Sequence, residues 1–360
     1  ERFNVFIQFM SFEKTEGGVV VIDHADLVKQ TVDLEAIKEA FGGDGYGLIA
    51  VKNVPGVMEM RQKLLPLAHE IANLPEEKLK KIEHSKSSYS FGWSQGRETY
   101  HGGRFDAHKG SFYNNPQYNV PTTDQALIDE HIESLHPNIW PEDLPDVEKY
   151  FMQAGQLVVS VGMLLARECD TYVKKAHPAY AKAPKTMEDV IKESLTCKAR
   201  LLYYFPIKGD ESVREVDSWC GWHNDHGSLT GLLPNMFLSL DGKETKNTDP
   251  TCGLYCKTRD GSITKVSVPP DCIAFQIGEA SQIMTGGFLK ATPHAVKAPE
   301  HPHSESFGRA TLAVFMQPNH DVLMQPPAGL SLKDCGVERM ADKEPVTFAV
   351  YAKSTIAGYY

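Results

Sequence analysis

The sequence predicts a mainly β fold with flanking helices, in which short strands form a sandwich or barrel. Two observations support this prediction. From about residue 196 onward, short apolar segments recur between Gly, Pro, Asp or Asn, and many short strands at regular spacing are typical of sandwiches and barrels. Before that point the pattern is largely helical with a few strands. We therefore expect one unit over residues 1–360, with a mostly helical region over 1–195, a β core over 196–325 and a C-terminal extension over 326–360.

The N-terminal region begins with a strand, a helix and a second strand. The β-branched run at 19–22, in "GGVVVIDHADL", predicts the first strand. The segment "DLEAIKEAFGGDG" is amphipathic and ends at two glycines, as a helix does at its C-terminus. The second strand, "GLIAVKNV", is stopped by Pro55 and Gly56.

A long helix is the clearest element of this region, and it is predicted over 145–169 because Pro145 suits a first helical turn. Apolar residues recur there at steps of three and four, which predicts one stripe packed against a sheet. The stripe consists of Val147, Phe151, Ala154, Leu157, Val158, Val161, Leu164 and Leu165. Residues 85–118 have no stable periodicity, so we expect either a binding loop or a plain surface loop there.

The strands of the β core are predicted from seven segments, each bounded by turn-forming residues. They are "KARLLYYFP", "GSLTGLL", "GLYCKT", "ITKVSV", "DCIAFQIG", "ATPHAVKAP" and "RATLAVFMQP".

Composition narrows the classes of partner. The formal net charge is −10 and the pI is about 5.8, which disfavours nucleic acid and anionic membranes as partners because both select a basic face. No apolar run approaches the roughly 20 residues of a membrane helix, and the first residues lack a cleavable signal pattern.

The seven scattered cysteines indicate reduced thiols and a cytoplasmic location. Cys252 and Cys256 form only half of a zinc-site spacing, which we interpret as chance.

The segment "GWHNDHGSLTG", residues 221–231, carries the first candidate metal ligands. On a strand, His223 and Asp225 project from one face, whereas His226 projects from the opposite face and is expected to point away from the site. His294, in "TPHAVKAP", is the candidate third ligand. Two histidines and one carboxylate suit Fe(II) oxygen chemistry. Zinc stays open as an alternative, although catalytic zinc is tetrahedral.

A carboxylate receptor is predicted on the strand "GRATLAVF". The period of two places Arg309 and Thr311 on one face, and an arginine fork with a neighbouring hydroxyl can bind a carboxylate remote from the metal. The alternative is a structural arginine paired with an acid of the core.

These segments together resemble the Fe(II)/2-oxoglutarate-dependent dioxygenases, in particular the isopenicillin-N-synthase-like, plant-type branch. The resemblance is carried by "ARLLYYFP", "GWHNDHGSLTGLL", "RATLAVFMQP" and the stretch "GSITKVSVPPDCIAFQIGEASQIMTGGFLKATPHAV". It implies one catalytic unit with a distorted double-stranded β-helix (jelly roll) over 196–325 that carries the metal site. It also implies Fe(II), 2-oxoglutarate and O2 as cofactors, with ascorbate as a candidate reductant.

Residue roles follow from the same resemblance. His223, Asp225 and His294 would be the iron ligands, and Arg309 and Thr311 would hold the distal carboxylate of 2-oxoglutarate. Tyr204 would touch this co-substrate, with Tyr203 as the fallback. Thr311 stands where the family usually has Ser, Leu202 stands where many relatives have Asn, and "APEHPHSES" lengthens the segment between His294 and Arg309.

The implied reaction is hydroxylation or desaturation of a small organic metabolite with release of succinate and CO2. Alternatives are a 2-oxoglutarate-independent oxidase or cyclase on the same fold, a non-catalytic jelly-roll ligand-binding protein, and a zinc hydrolase with Glu215 or Asp217 as base. The sequence predicts neither the substrate nor the oligomeric state. Candidate substrate contacts, which also suit packing or surface roles, are Tyr100, His101, Arg104, Lys109, Phe112, Tyr113, Trp222 and Phe307.

Overall fold

The computed structural model describes residues 12–97, 108–207, 219–300 and 302–356. Its strands are β1 (Glu13–Lys14), β2 (Val20–Asp23), β3 (Leu48–Lys52), β4 (Gly92–Gln95), β5 (Lys109–Asn114), β6 (Lys198–Tyr204), β7 (Cys220–His223), β8 (Leu229–Leu232), β9 (Met236–Ser239), β10 (Glu244–Thr245), β11 (Gly253–Lys257), β12 (Ile263–Lys265), β13 (Ile273–Ile277), β14 (His294–Lys297), β15 (Phe307–Met316), β16 (Leu323–Met324) and β17 (Val346–Thr347). Its helices are α1 (His24–Lys29), α2 (Leu34–Phe41), α3 (Val57–Ala72), α4 (Glu76–Lys81), α5 (Gln125–Glu130), α6 (Ile132–Leu135), α7 (Asp146–Ala176), α8 (Met187–Lys192), α9 (Glu279–Met284) and α10 (Phe348–Ile356).

Two sheets enclose the core of the molecule. The larger runs in the order β1-β2-β3-β13-β8-β15-β6-β5-β4, with β9 paired to β15 and β10 paired to β9. The smaller runs β12-β11-β14-β7. Side chains from both sheets pack together in two buried clusters between them. This arrangement of mainly antiparallel sheets with helices outside is the mainly β, jelly-roll fold that the sequence predicts.

The long helix α7 covers the outer face of the larger sheet. Its buried stripe includes Phe151, Val158 and Leu165. Gly231 on β8 permits the close approach, because a Cβ there would lie only 2.2 Å from Cγ1 of Val158. The helix continues past the predicted end at residue 169 to Ala176. The buried Asp170 of this extra segment accepts hydrogen bonds from the first backbone N–H groups of α8, which ties the two helices together.

Strands from the N-terminal region belong to the same large sheet as the core strands. The predicted strands at 19–22 and 47–54 are β2 and β3, which pair in parallel, and β3 pairs with β13. The expectation of an irregular segment over 85–118 is wrong where β4 and β5 form and pair with each other and with β6. The reason is that β5 turns Lys109, Ser111 and Tyr113 towards the interior, so polar residues stand where a strand pattern normally has apolar ones.

The C-terminal extension packs beside the core through β16, β17 and α10. Phe348 and Tyr351 of α10 join a buried cluster with Ile283 and Met284 of α9. All seven cysteines are buried, and none forms a disulfide. No helix in the described part of the chain combines the length and apolar character needed to cross a bilayer.

Candidate functional site

Three of the predicted ligand residues meet in space. His223, Asp225 and His294 each offer one ligand atom, and these atoms all lie within 4.8 Å of one another. Nε2 of His223 is 3.8 Å from Oδ1 of Asp225, and Nε2 of His294 is 3.9 Å from the same oxygen. The cluster is largely shielded from solvent, with Asp225 and His294 buried and His223 half-buried.

Strand pairing brings the two histidines together, but it does not place the aspartate. His294 on β14 lies directly opposite His223 on β7. The expectation that His223 and Asp225 share one strand is wrong, because β7 ends at His223. Asp225 instead lies in a turn whose carbonyl groups accept hydrogen bonds from the start of α9, with Glu279 N–H donating to the Asp225 carbonyl at 2.8 Å.

The donor atoms of the cluster fit a divalent cation. Nδ1 of His223 lies 2.7 Å from the Gly221 carbonyl, and Nδ1 of His294 lies 3.2 Å from the Thr292 carbonyl. A carbonyl can only accept, so each Nδ1 donates and each neutral ring presents an Nε2 lone pair to the cluster. Oδ2 of Asp225 is buried with no hydrogen-bond partner among the described residues, a costly arrangement that a bound cation would relieve. Three protein ligands leave open positions for other ligands.

Electrostatics also couple the three groups. Burial raises the pKa of Asp225, but the neighbouring His294 and His223 outweigh it and leave that pKa below its usual value. Burial, together with the charge on His223, lowers the pKa of His294 to about 4. Burial likewise lowers the pKa of His223, yet Cys220 and Asp225 raise it to about 9. A cation that binds His223 must displace any proton on its Nε2, because a ligating histidine is neutral.

An interior cavity of about 250 Å³ adjoins the cluster and contains the predicted carboxylate receptor. Arg309 lies opposite Tyr204 in the β15–β6 register, and Thr311 lies opposite Leu202. All four side chains line the cavity. The guanidinium of Arg309 sits 5.2 Å from the centroid of the Tyr204 ring. With the Asn235 amide oxygen turned towards Arg309, Nε and Nη2 donate to it at 2.9 and 3.3 Å.

Arg309 has no ion-pair partner among the described residues, so the alternative of a core acid beside it finds no support there. Thr311 is more constrained than the sequence indicates, because its hydroxyl donates to the Leu233 carbonyl at 3.1 Å. To donate to a carboxylate, this hydroxyl would have to turn away from Leu233.

The two adjacent tyrosines have different surroundings. Tyr204 lines the cavity, and burial raises the pKa of its phenol to about 12. Tyr203 points to the other face of the sheet, where its ring meets His69 and Phe205 edge-on. The structure therefore places Tyr204, and not the fallback Tyr203, at the cavity.

Arg200 also lines the cavity, and the sequence reasoning missed it. Its Nε donates to Ser111 Oγ at 2.9 Å, and its guanidinium lies 5.0 Å from the centroid of the Tyr113 ring. The alternation of residues along this strand could have indicated its position, since Arg200 lies on the same face as Leu202 and Tyr204. Lys109 is buried directly opposite Tyr204 on β5.

The remaining candidate residues lie either away from the cavity wall or outside the described residues. Phe112 packs against Phe151 in the helical layer, Phe307 packs against Phe237, and the half-buried Trp222 is not part of the described cavity wall. His226 stacks on Phe348 of α10, away from the ligand cluster, as expected. Tyr100, His101, Arg104, Glu215 and Asp217 lie outside the described residues.

Comparison with known proteins gives a family match over part of the chain. Residues 198–318 match the model of the 2OG-Fe(II) oxygenase superfamily. Feruloyl CoA ortho-hydroxylase 2 of Arabidopsis thaliana is 23% identical over 326 residues, which cover 89% of this chain and 75% of that protein. A UPF0676 protein of Schizosaccharomyces pombe is 29% identical over 147 residues, or 41% of this chain and 39% of that protein. The matched region thus spans well under half of the latter relative.

Solved structures show the same fold. A full-length Neurospora crassa protein in complex with alpha-KG superposes with a TM-score of 0.68 at 19% identity, covering 96% of this chain and 100% of that one. JOX2 in complex with 2OG, Fe and JA superposes with a TM-score of 0.61 at 19% identity, covering 94% and 84%. The matched family is one of Fe(II) and 2-oxoglutarate oxygenases, in agreement with the cofactors that the sequence resemblance implies. Residues 198–318, which contain every predicted ligand and receptor residue, match the 2OG-Fe(II) oxygenase superfamily.

Proposed function

We propose that this protein oxidises a C–H bond of a small organic metabolite and converts 2-oxoglutarate and O2 to succinate and CO2. In a hydroxylation, one oxygen atom of O2 enters the substrate and the other enters succinate. The observation that carries the proposal is the position of the ligand cluster. His223, Asp225 and His294 lie in the wall of the same cavity that contains Arg309 and Tyr204.

The residues have distinct roles in this proposal. His223, Asp225 and His294 hold the iron, and Arg309 binds the distal carboxylate of 2-oxoglutarate beside Tyr204. When bound, Fe(II) supplies O2 activation coupled to decarboxylation of the 2-oxo acid. The buried walls of the cavity keep bulk water away and orient the substrate, which limits side reactions.

The substrate class follows from two further cations on the inner sheet face. Arg200 lies four residues before Tyr204 on β6, Lys109 lies opposite Tyr204 on β5, and Ser111 and Tyr113 hold the Arg200 guanidinium in place. Preorganised cations beside an aromatic ring suit a carboxylate or an oxygenated aromatic group. We therefore propose a small acid or a polar aromatic metabolite as substrate, which is consistent with the JA bound in the JOX2 complex.

Anaerobic titration with Fe(II) and 2-oxoglutarate tests the proposal. We expect a visible metal-to-ligand charge-transfer band for the wild type and none for His223→Ala. His24→Ala, which changes a histidine at the start of α1, is the matched control and should retain the band. Absence of a band in the wild type, or an unchanged band in His223→Ala, would refute the assignment of the metal site.

Oxygen consumption separates the proposal from its alternatives. Substrate-dependent O2 uptake without 2-oxoglutarate would indicate an oxidase or cyclase instead. Failure to bind Fe(II) would indicate a non-catalytic ligand-binding protein, and ester hydrolysis by the zinc-loaded protein would indicate a hydrolase. Seven buried cysteines without a disulfide support a reducing, cytoplasmic place of action.

A further inference from the structure

Both neighbours of Asp225 in the chain are tied to elements outside the jelly-roll core. Nδ2 of Asn224 donates to Oε1 of Glu279 at 2.9 Å. The His226 ring stacks on Phe348 of α10, with ring centroids 6.0 Å apart and an interplanar angle of 20°. The candidate ligand therefore lies between two contacts that lead, directly or through Glu279, to the C-terminal helix.

Glu279 is the centre of this connection. The residue is 6% exposed, and its Oε2 accepts a hydrogen bond from the Tyr351 hydroxyl at 2.8 Å. Arg339 pairs with the same oxygen at 2.5 Å and also donates to the Tyr351 hydroxyl and to Thr355 Oγ1. The backbone N–H of Glu279 donates to the Asp225 carbonyl at 2.8 Å. One buried residue thus contacts Asn224 and Asp225 on one side and α10 on the other.

The turn at 224–228 depends on these contacts because β7 ends at His223 and no strand ladder fixes Asp225. Two of its carbonyl groups are held instead at the start of α9, where the Glu279 N–H donates to Asp225 at 2.8 Å and the Gly278 N–H, just before the helix, donates to Ser228 at 3.0 Å. A metal ligand must be held within about 0.5 Å of its working position. A buried carboxylate keeps its charge and position only when its partners are complete, so the position of Glu279 depends on Tyr351 and Arg339.

We infer that Glu279 is a positioning residue for the Asp225 ligand, and that the C-terminal extension sets the geometry of the metal site through Arg339 and through Tyr351 of α10. This inference rests on the proposed function, because it takes Asp225 as a metal ligand. It assigns a task to the C-terminal extension, whose residues do not reach the cavity in the described part of the chain.

Tyr351→Phe is the direct test, because it removes one hydroxyl and keeps the buried ring. Tyr180→Phe is a matched control, since Tyr180 is also fully buried and its hydroxyl also donates to a buried carboxylate, that of Asp170, at 2.6 Å. The two variants should lose similar stability in denaturant. We expect only Tyr351→Phe to weaken Mn(II) binding, by about 10- to 100-fold, as changes behind metal ligands typically do, and to shift the Fe(II)–2-oxoglutarate charge-transfer band.

A second variant keeps the inference testable if Tyr351→Phe does not fold. Asn224→Ala removes the half-buried side chain that Glu279 holds, and it should weaken Mn(II) binding in the same direction. When both changes are combined, the loss should be smaller than the product of the two single losses, because they act through one residue.

The outcomes separate this inference from the proposed function. A wild type that binds neither Mn(II) nor Fe(II) overturns both. A wild type that binds metal, with Tyr351→Phe and Asn224→Ala each within twofold of its Mn(II) affinity, overturns the positioning role alone. Equal losses of Mn(II) affinity in Tyr180→Phe and Tyr351→Phe would show a general stability effect, which also overturns it.

Discussion

Replacing Arg309 by glutamine should weaken 2-oxoglutarate binding and leave metal binding intact. Arg309 is buried at 9% exposure, and its Nε and one Nη2 hydrogen face Asn235. The other edge of the guanidinium is left for a ligand carboxylate, because a guanidinium has five N–H donors in a fixed fork. The glutamine side chain ends near the position of Nε, so it loses the Nη donors and the charge.

The size of the effect follows from the burial of the site. Truncating one partner of a buried, hydrogen-bonded charge pair costs about 2–5 kcal/mol. At about 1.4 kcal/mol per tenfold change, this range is about 30- to 4,000-fold in Kd. Because glutamine loses the charge and both Nη groups, we expect a loss within this range, about 30- to 4,000-fold.

The assay compares two 2-oxo acids by anaerobic titration of the Fe(II) protein. 2-Oxoglutarate has the distal carboxylate and 2-oxobutyrate lacks it, so their affinity ratio isolates the contact with Arg309. The wild type should prefer 2-oxoglutarate strongly, whereas Arg309→Gln should bind the two acids with similar affinity. Arg167→Gln, which changes a partly buried arginine of α7 that donates to the Leu27 carbonyl, is the control and should retain the preference.

The reasoning about Arg309 would be refuted in two ways. A retained preference for 2-oxoglutarate in Arg309→Gln would show that another cation, such as Arg200 or Lys109, binds the distal carboxylate. An equal loss of affinity for both acids would show damage to the metal site or to folding.

Three further predictions concern the cavity, the metal site and the helix–sheet contact. Tyr204→Phe should raise the Kd for 2-oxoglutarate by about 2- to 12-fold, the value of one hydrogen bond, whereas Tyr203→Phe should not; the reverse pattern would contradict the assigned orientation. Mn(II) at 100 times its Kd should stabilise the wild type by about 2.7 kcal/mol in denaturant titration, and equal stabilisation of Asp225→Asn would exclude Asp225 as a ligand. Gly231→Ala should lose about 1–3 kcal/mol of unfolding free energy through overpacking against Val158, and unchanged stability would show that α7 can shift outward.

Residue periodicity was sufficient to predict a helix or strand wherever the local pattern agrees with the environment that the side chains have in the folded molecule. The stripe of α7 and the strands β2, β3 and β15 were predicted because apolar residues mark the faces they bury. The strand β5 was missed because its interior face carries Lys109, Ser111 and Tyr113. Arg200 was overlooked for a related reason, since a charged residue on a strand normally faces solvent.

By itself, the sequence determined the identities and the side-chain chemistry of the candidate ligands. His223, Asp225, His294 and Arg309 were selected by residue type and local pattern, although the strand period that selected Asp225 does not hold, because β7 ends at His223. The tertiary structure decided how they meet. His294 lies opposite His223 only through the pairing of β14 with β7, and Asp225 reaches them from a turn fixed by Glu279. Such contacts join residues far apart in the chain, so no local pattern specifies them, and the anchoring of "GWHNDHGSLTG" by the C-terminal helix is visible only in the folded molecule.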